Sequence, residues 1–118
     1  MRPQLYIRVA KDQIHFRDIH TKKHFILHAE QPFSTVRMLV GEFSPFEACL
    51  RQGIQELVPK RFFSRSPAIV MHATELNEGG LCELEKRVLQ EAALGAGASK
   101  VVIYEGNELS DSSVGAKL

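Results

Sequence analysis

The chain has 118 residues, with 15 Lys and Arg against 14 Asp and Glu, a net charge of +1, and 44% hydrophobic side chains. That balance excludes a strongly basic nucleic-acid binder, an acidic tail and a disordered chain, and it fits one domain able to bury its own core. The two cysteines, Cys49 and Cys82, are too few and too isolated for a disulfide framework or a Cys-based zinc site. Reduced thiols and a cytoplasmic location are the expectation. No stretch of about 18 apolar residues occurs, and MRPQLYIRVAKDQ at the N-terminus lacks an apolar run, so neither a Sec signal nor a transmembrane segment is expected.

Three short alternating strands open the chain. Leu5, Ile7 and Val9 alternate with Tyr6 and Arg8; Ile14 and Phe16 with His15 and Arg17; Phe25 and Leu27 with His24, Ile26 and His28. A turn at Lys11-Asp12 sets Val9 against Ile14 and Ile7 against Phe16. A second turn at Thr21-Lys22 sets Phe16 against Leu27 and His15 against His28. Both registers gather the apolar side chains on one face, which argues for an antiparallel meander with its third strand over residues 23–29.

The period then becomes helical. Ser44-Pro45-Phe46-Glu47 reads as an N-cap, a first-turn proline and a capping-box glutamate. The helix stripe from Phe46 to Val58 runs through Leu50, Gly53 and Ile54 and stops at Pro59. The basic segment Lys60–Arg65 leads to a buried strand over Pro67–Ala73. A second helix spans Leu81–Ala96, with a stripe that includes Leu84, Val88, Leu89 and Ala92, and Gly95 or Gly97 ends it. Lys100–Tyr104 is a further buried strand, and Asn107–Leu118 begins a short, polar third helix. Right-handed crossovers give strand order 3-2-1-4-5, a ribonuclease H-like α/β arrangement in a single domain, with both main helices on one face.

The stretch CELEKRVLQEAALGAGASKVVIYEG, from Cys82 to Gly106, resembles the actin-like ATPases of the MreB rod-shape family. Leu84-Glu85-Lys86-Arg87, the alanine-rich run ending Gly95-Ala96-Gly97-Ala98, and Val101–Glu105 stand where that family has a V-E-x-R-A helix start, a G-A-G-A turn and a V-F-L-I-E-E-P strand. Ser66-Pro67-Ala68-Ile69-Val70-Met71 is similar to its S-P-x-V-L-V strand. The resemblance implies that residues 1–118 correspond to a truncated first subdomain, IA, of an actin-like fold. It also implies a loss. The family's first strand ends D-L-G-T, where the acid works with the metal, whereas here the matching stretch reads Arg8-Val9-Ala10-Lys11, and a cation cannot ligate Mg²⁺. The family's second phosphate loop and adenosine-binding subdomains have no counterpart, and E-E-P becomes Glu105-Gly106-Asn107. A non-enzyme with no cofactor is therefore expected.

Other constellations yield to simpler readings. Gly95-Ala96-Gly97 follows a helix and reads as a C-cap rather than a phosphate loop. Gly79-Gly80 precedes a helix but lacks a Lys-Ser/Thr behind it. Four histidines, His15, His20, His24 and His28, fall within fourteen residues, yet His24 and His28 would stand about 13 Å apart along a strand. His15 with His28 makes two ligands and lacks a third, so no metal site is assigned. His72 reads as a hydrogen-bonded core histidine and Cys49 as packing; the role of Cys82, near a helix start, stays open. Asp12, Asp18 and Glu30 lack the first-strand acid that a two-metal nuclease needs.

The outer face of the meander remains. Tyr6, Arg8, His15, Arg17, Ile26 and His28 form the candidate partner surface, for a protein partner or a weak homodimer, with no nucleic acid expected. The function expected is a non-catalytic, MreB-like, protein-binding domain associated with the cytoskeleton or cell shape. Two alternatives stand beside it: a remnant of nucleotide or phosphate chemistry around Gly79, Gly80 and Glu105, and a folded remnant with no activity.

Overall fold

A computed structural model describes residues 2–35, 38–58, 66–75 and 80–118. Five strands, β1 (Gln4–Ala10), β2 (Gln13–Asp18), β3 (His24–His28), β4 (Ala68–Ala73) and β5 (Lys100–Tyr104), form one mixed sheet in the order β3-β2-β1-β4-β5. Strands β1 to β3 are antiparallel; β4 and β5 run parallel to β1. Helices α1 (Phe43–Leu57) and α2 (Glu83–Gly95) share the main core with one face of this sheet, and α3 (Asp111–Lys117) packs on the other.

The first hairpin has the expected register, Val9 with Ile14 and Ile7 with Phe16. Asp12, with φ of 53°, makes its tight turn. The second hairpin does not have the expected register. Phe16 pairs with Phe25, His15 with Ile26, and His28 with Gln13. The cause is Asp18, whose buried carboxylate accepts from the amides of His20 and Thr21 and so builds a longer loop, with Lys22 in the left-handed region at φ 66°. The shift is two residues, an even number, so every side chain stays on its expected face. His15 and His28 are consequently diagonal neighbours, not an opposed pair.

Helix α1 begins at Phe43 with Glu42 in the N-cap position and no side-chain cap, so the Ser44–Glu47 capping box is not formed. Pro45 then occupies the third position, where its missing N–H is still among those without a helical partner. Glu47 pairs with Arg51 one turn on. The buried stripe of Phe46, Cys49, Leu50, Gly53, Ile54 and Leu57 is the expected one. Pro59 and Lys60–Arg65 lie outside the described residues, as does Gly79.

Helix α2 starts two residues later than expected, capped at Cys82 by a box with Glu85. Leu84 faces solvent at 64% exposure instead of joining the stripe, and Ala93 is buried in its place. Gly97, at φ 111°, supplies the left-handed turn after the helix. Strand β4 is buried at all six positions, as its apolar run, interrupted by His72, predicts.

The candidate functional site

The C-terminal ends of β1 and β4 and the loop after β5 enclose an open cleft of about 540 Å³, lined by Arg8, His15, His72, Thr74 and Glu108 among others. Strand alternation puts Tyr6 and Arg8 on this face, and the parallel register brings Arg8 beside His72. Ends of parallel strands are where open α/β sheets hold ligands.

At the cleft floor, the Tyr6 hydroxyl lies 2.6 Å from His72 Nδ1, and His72 Nε2 lies 2.8 Å from the Gly106 carbonyl. A carbonyl only accepts, so Nε2 carries the proton and donates; Nδ1 then accepts from the Tyr6 hydroxyl, whose oxygen accepts the Leu109 amide at 3.1 Å. Burial lowers the His72 pKa and raises that of Tyr6, keeping both groups neutral. Both imidazole nitrogens are thus committed, and His72 is the expected core histidine, with no free lone pair for base catalysis.

Above this floor Arg8 is engaged three ways. Its guanidinium pairs with the Glu108 carboxylate, reaches His15 Nδ1 at 3.5 Å, and lies 5.7 Å from the centre of the Tyr6 ring. Burial and the nearby Arg8 charge lower the His15 pKa. Arg17 makes a bidentate pair with Asp111, through Nε at 2.8 Å and Nη2 at 2.9 Å, and Lys22 adds a third contact at 2.6 Å. These two cations hold the Asp111 carboxyl well below the usual carboxylate range.

The candidate partner surface is therefore divided. Tyr6 is 3% exposed, packed with Ile19 and Val70 against Val114 of α3, and is not available to a partner. The reason is that α3, though short, seats one apolar side chain over β1 and ties itself down through Asp111. Arg8 and Arg17 are partly covered and ion-paired. His15 is half-buried; Ile26, at 48% exposure, and His28 are open. Glu108 and Asp111 are the residues that sequence reasoning missed. Their signal was two acids three apart in the segment after the last strand, opposite two arginines on neighbouring strands.

Near the start of α2, where an anion would sit, Glu105 Oε1 accepts the Leu81 amide at 2.6 Å and Oε2 stands 4.0 Å from Lys86 Nζ. The chain's own carboxylate takes the amide of the loop just ahead of the helix. Asp12 and Asp18 serve turns: Asp12 accepts the amides of Phe33 and Ser34, and Asp18 caps the β2–β3 loop. Cys49 is buried, which pushes its thiol up to about 11. Among the described residues, no three His, Cys, Asp or Glu side chains converge to hold a metal ion, and no helix is long and apolar enough to cross a membrane.

Across 97% of its length the chain is 35% identical to the uncharacterized protein YjaA of Escherichia coli strain K12, and the match covers 95% of that protein. The chain belongs to the YjaA family. No family model matches it. Among solved structures, MreB 5 of Spiroplasma citri bound to AMPPNP is similar in fold, with a TM-score of 0.59 and 13% identity over 89% of this chain. The chain spans 39% of that MreB chain. At this identity the likeness to MreB is one of fold, a five-stranded mixed sheet with three helices, and it is partial.

Proposed function

We propose that this YjaA-family chain is a non-catalytic protein-binding domain, an MreB-like IA unit of ribonuclease H-like fold that works beside the cell-shape cytoskeleton in the cytoplasm. The observation that carries the reading is the edge of the sheet at β3, where no described strand pairs and Ile26 stands half exposed between His24 and His28. Exposed strand edges bearing apolar side chains are sites of protein pairing unless they are blunted. The alternative, residual nucleotide chemistry, is disfavoured by what fills the relevant positions. Arg8 and Glu108 neutralise one another in the cleft, and Glu105 takes the Leu81 amide just ahead of α2.

A photo-activatable amino acid at position 26, compared with the same residue at the solvent-facing Arg87 of α2, tests the reading. Protein adducts specific to position 26 are expected. Equal or absent adducts at the two positions, or a micromolar dissociation constant for Mg-ATP by calorimetry, would overturn it.

A further inference from the structure

The pairing of β3 with β2 decides which of its backbone groups are free. Ala29 N donates to Asp12 O, and Asp18 N donates to Lys23 O, so the hydrogen-bonded pairs of this ladder fall on alternate residues that include Phe25 and Leu27. The N–H and C=O groups of His24, Ile26 and His28 therefore point away from the sheet. β3 is the end strand of the sheet, and no described strand pairs with that side.

The sequence along this edge is self-complementary. About Ile26, Phe25 answers Leu27 and His24 answers His28; beyond the strand, one end carries the exposed Lys22 and Lys23, with Lys22 already paired to Asp111, and the other end carries the exposed Glu30. An antiparallel copy thus brings basic end to acidic end, whereas a parallel copy in register sets Lys22 against Lys22.

Resting on the proposed binding role, we infer that the partner of this edge is a second copy of the chain, paired β3 to β3, antiparallel about a two-fold axis at Ile26. The two sheets become one. Ile26 of each copy exchanges both backbone hydrogen bonds with Ile26 of the other, and His24 does the same with His28. On the outer face the two Ile26 side chains pack together beside His15; on the core face Phe25 meets Leu27. The Lys22–Lys23 end of each copy lies toward Glu30 of the other. A two-fold contact of this kind uses one patch twice and closes at two subunits. With only five residues of strand on each side, the dimer is weak and concentration-dependent.

Disulfide trapping reads the register directly, in a Cys82→Ser background with diamide as the oxidant. Directly opposed strand residues have Cα atoms about 5.5 Å apart, within disulfide reach. Ile26→Cys alone is expected to give a covalent dimer. His24→Cys and His28→Cys are expected to cross-link when mixed and not when each is alone. Sedimentation of the native chain should show a monomer–dimer equilibrium that Ile26→Asp weakens about tenfold or more, with circular dichroism confirming that the variant is folded. A native chain that stays monomeric at high concentration overturns self-pairing, as does cross-linking of His24→Cys with itself as readily as with His28→Cys. In either case, adducts at position 26 with a different protein would leave the binding role standing, and their absence would remove both.

Discussion

The ring of Phe16, on β2, occupies the space that a side chain at Gly53 of α1 would need: a β-carbon built on Gly53 falls 2.0 Å from Phe16 Cζ. This contact sets how closely the helix lies on the meander. Alanine is the better helix former by up to about 1 kcal/mol, but overpacking typically costs about 1–3 kcal/mol, so the clash wins. Gly53→Ala should lower the melting temperature, and Phe16→Leu in the same chain should recover part of the loss. A Gly53→Ala chain as stable as the native one would mean that α1 does not lie on β2 in this way.

Ile54 is 4% exposed in the same helix-sheet core. Ile54→Asp places an unpaired carboxylate there, at a cost on the order of 4 kcal/mol, against a total stability of roughly 5–15 kcal/mol for a small domain. Loss of the cooperative thermal transition, or a transition lowered by many degrees, is expected. An unchanged transition would show that the α1 stripe is misassigned.

Stability should fall as the solution is acidified through the ordinary histidine range. Burial lowers the His72 pKa, so below about pH 6.5 the unfolded chain binds a proton that the folded chain does not. His15 has a shift of the same sign. His72→Gln should be less stable than the native chain at pH 8, because Tyr6 and Gly106 lose a partner, yet its melting temperature should vary less between pH 7.5 and pH 5.5. Thermal scans across that range provide the measurement, and a native chain that gains stability on acidification would contradict it.

The strand order and the faces of the sheet were legible because both rest on periodicity: alternation in β1 to β3, the largely apolar run of β4, and the α1 stripe each point one way. Alternation could not fix the second hairpin, since a two-residue shift leaves every face unchanged and the decision belongs to a buried Asp18 in the loop. The caps of α1 failed for a related reason. Ser44 is an excellent N-cap by type, but the helix begins before it. The place of Arg8 on the outer face of β1 was legible from alternation; its partner Glu108 was not, because the pair is separated by 100 positions and joined only by the return of the chain after β5. Tyr6 was expected on an open face because α3 looked too polar to cover it, and one valine, Val114, is enough.

The central claim, that β3 is the working edge of the molecule and takes a second copy of it, is tested most directly by amide hydrogen exchange as a function of protein concentration. In dilute solution the amides of His24, Ile26 and His28 should exchange faster than those of Phe25 and Leu27, which are held by β2. As concentration rises, protection should grow at His24, Ile26 and His28, while the amides of β5 at the opposite edge stay as they were. Exchange at these three amides that is independent of concentration, or protection that grows equally at β5, would contradict the account.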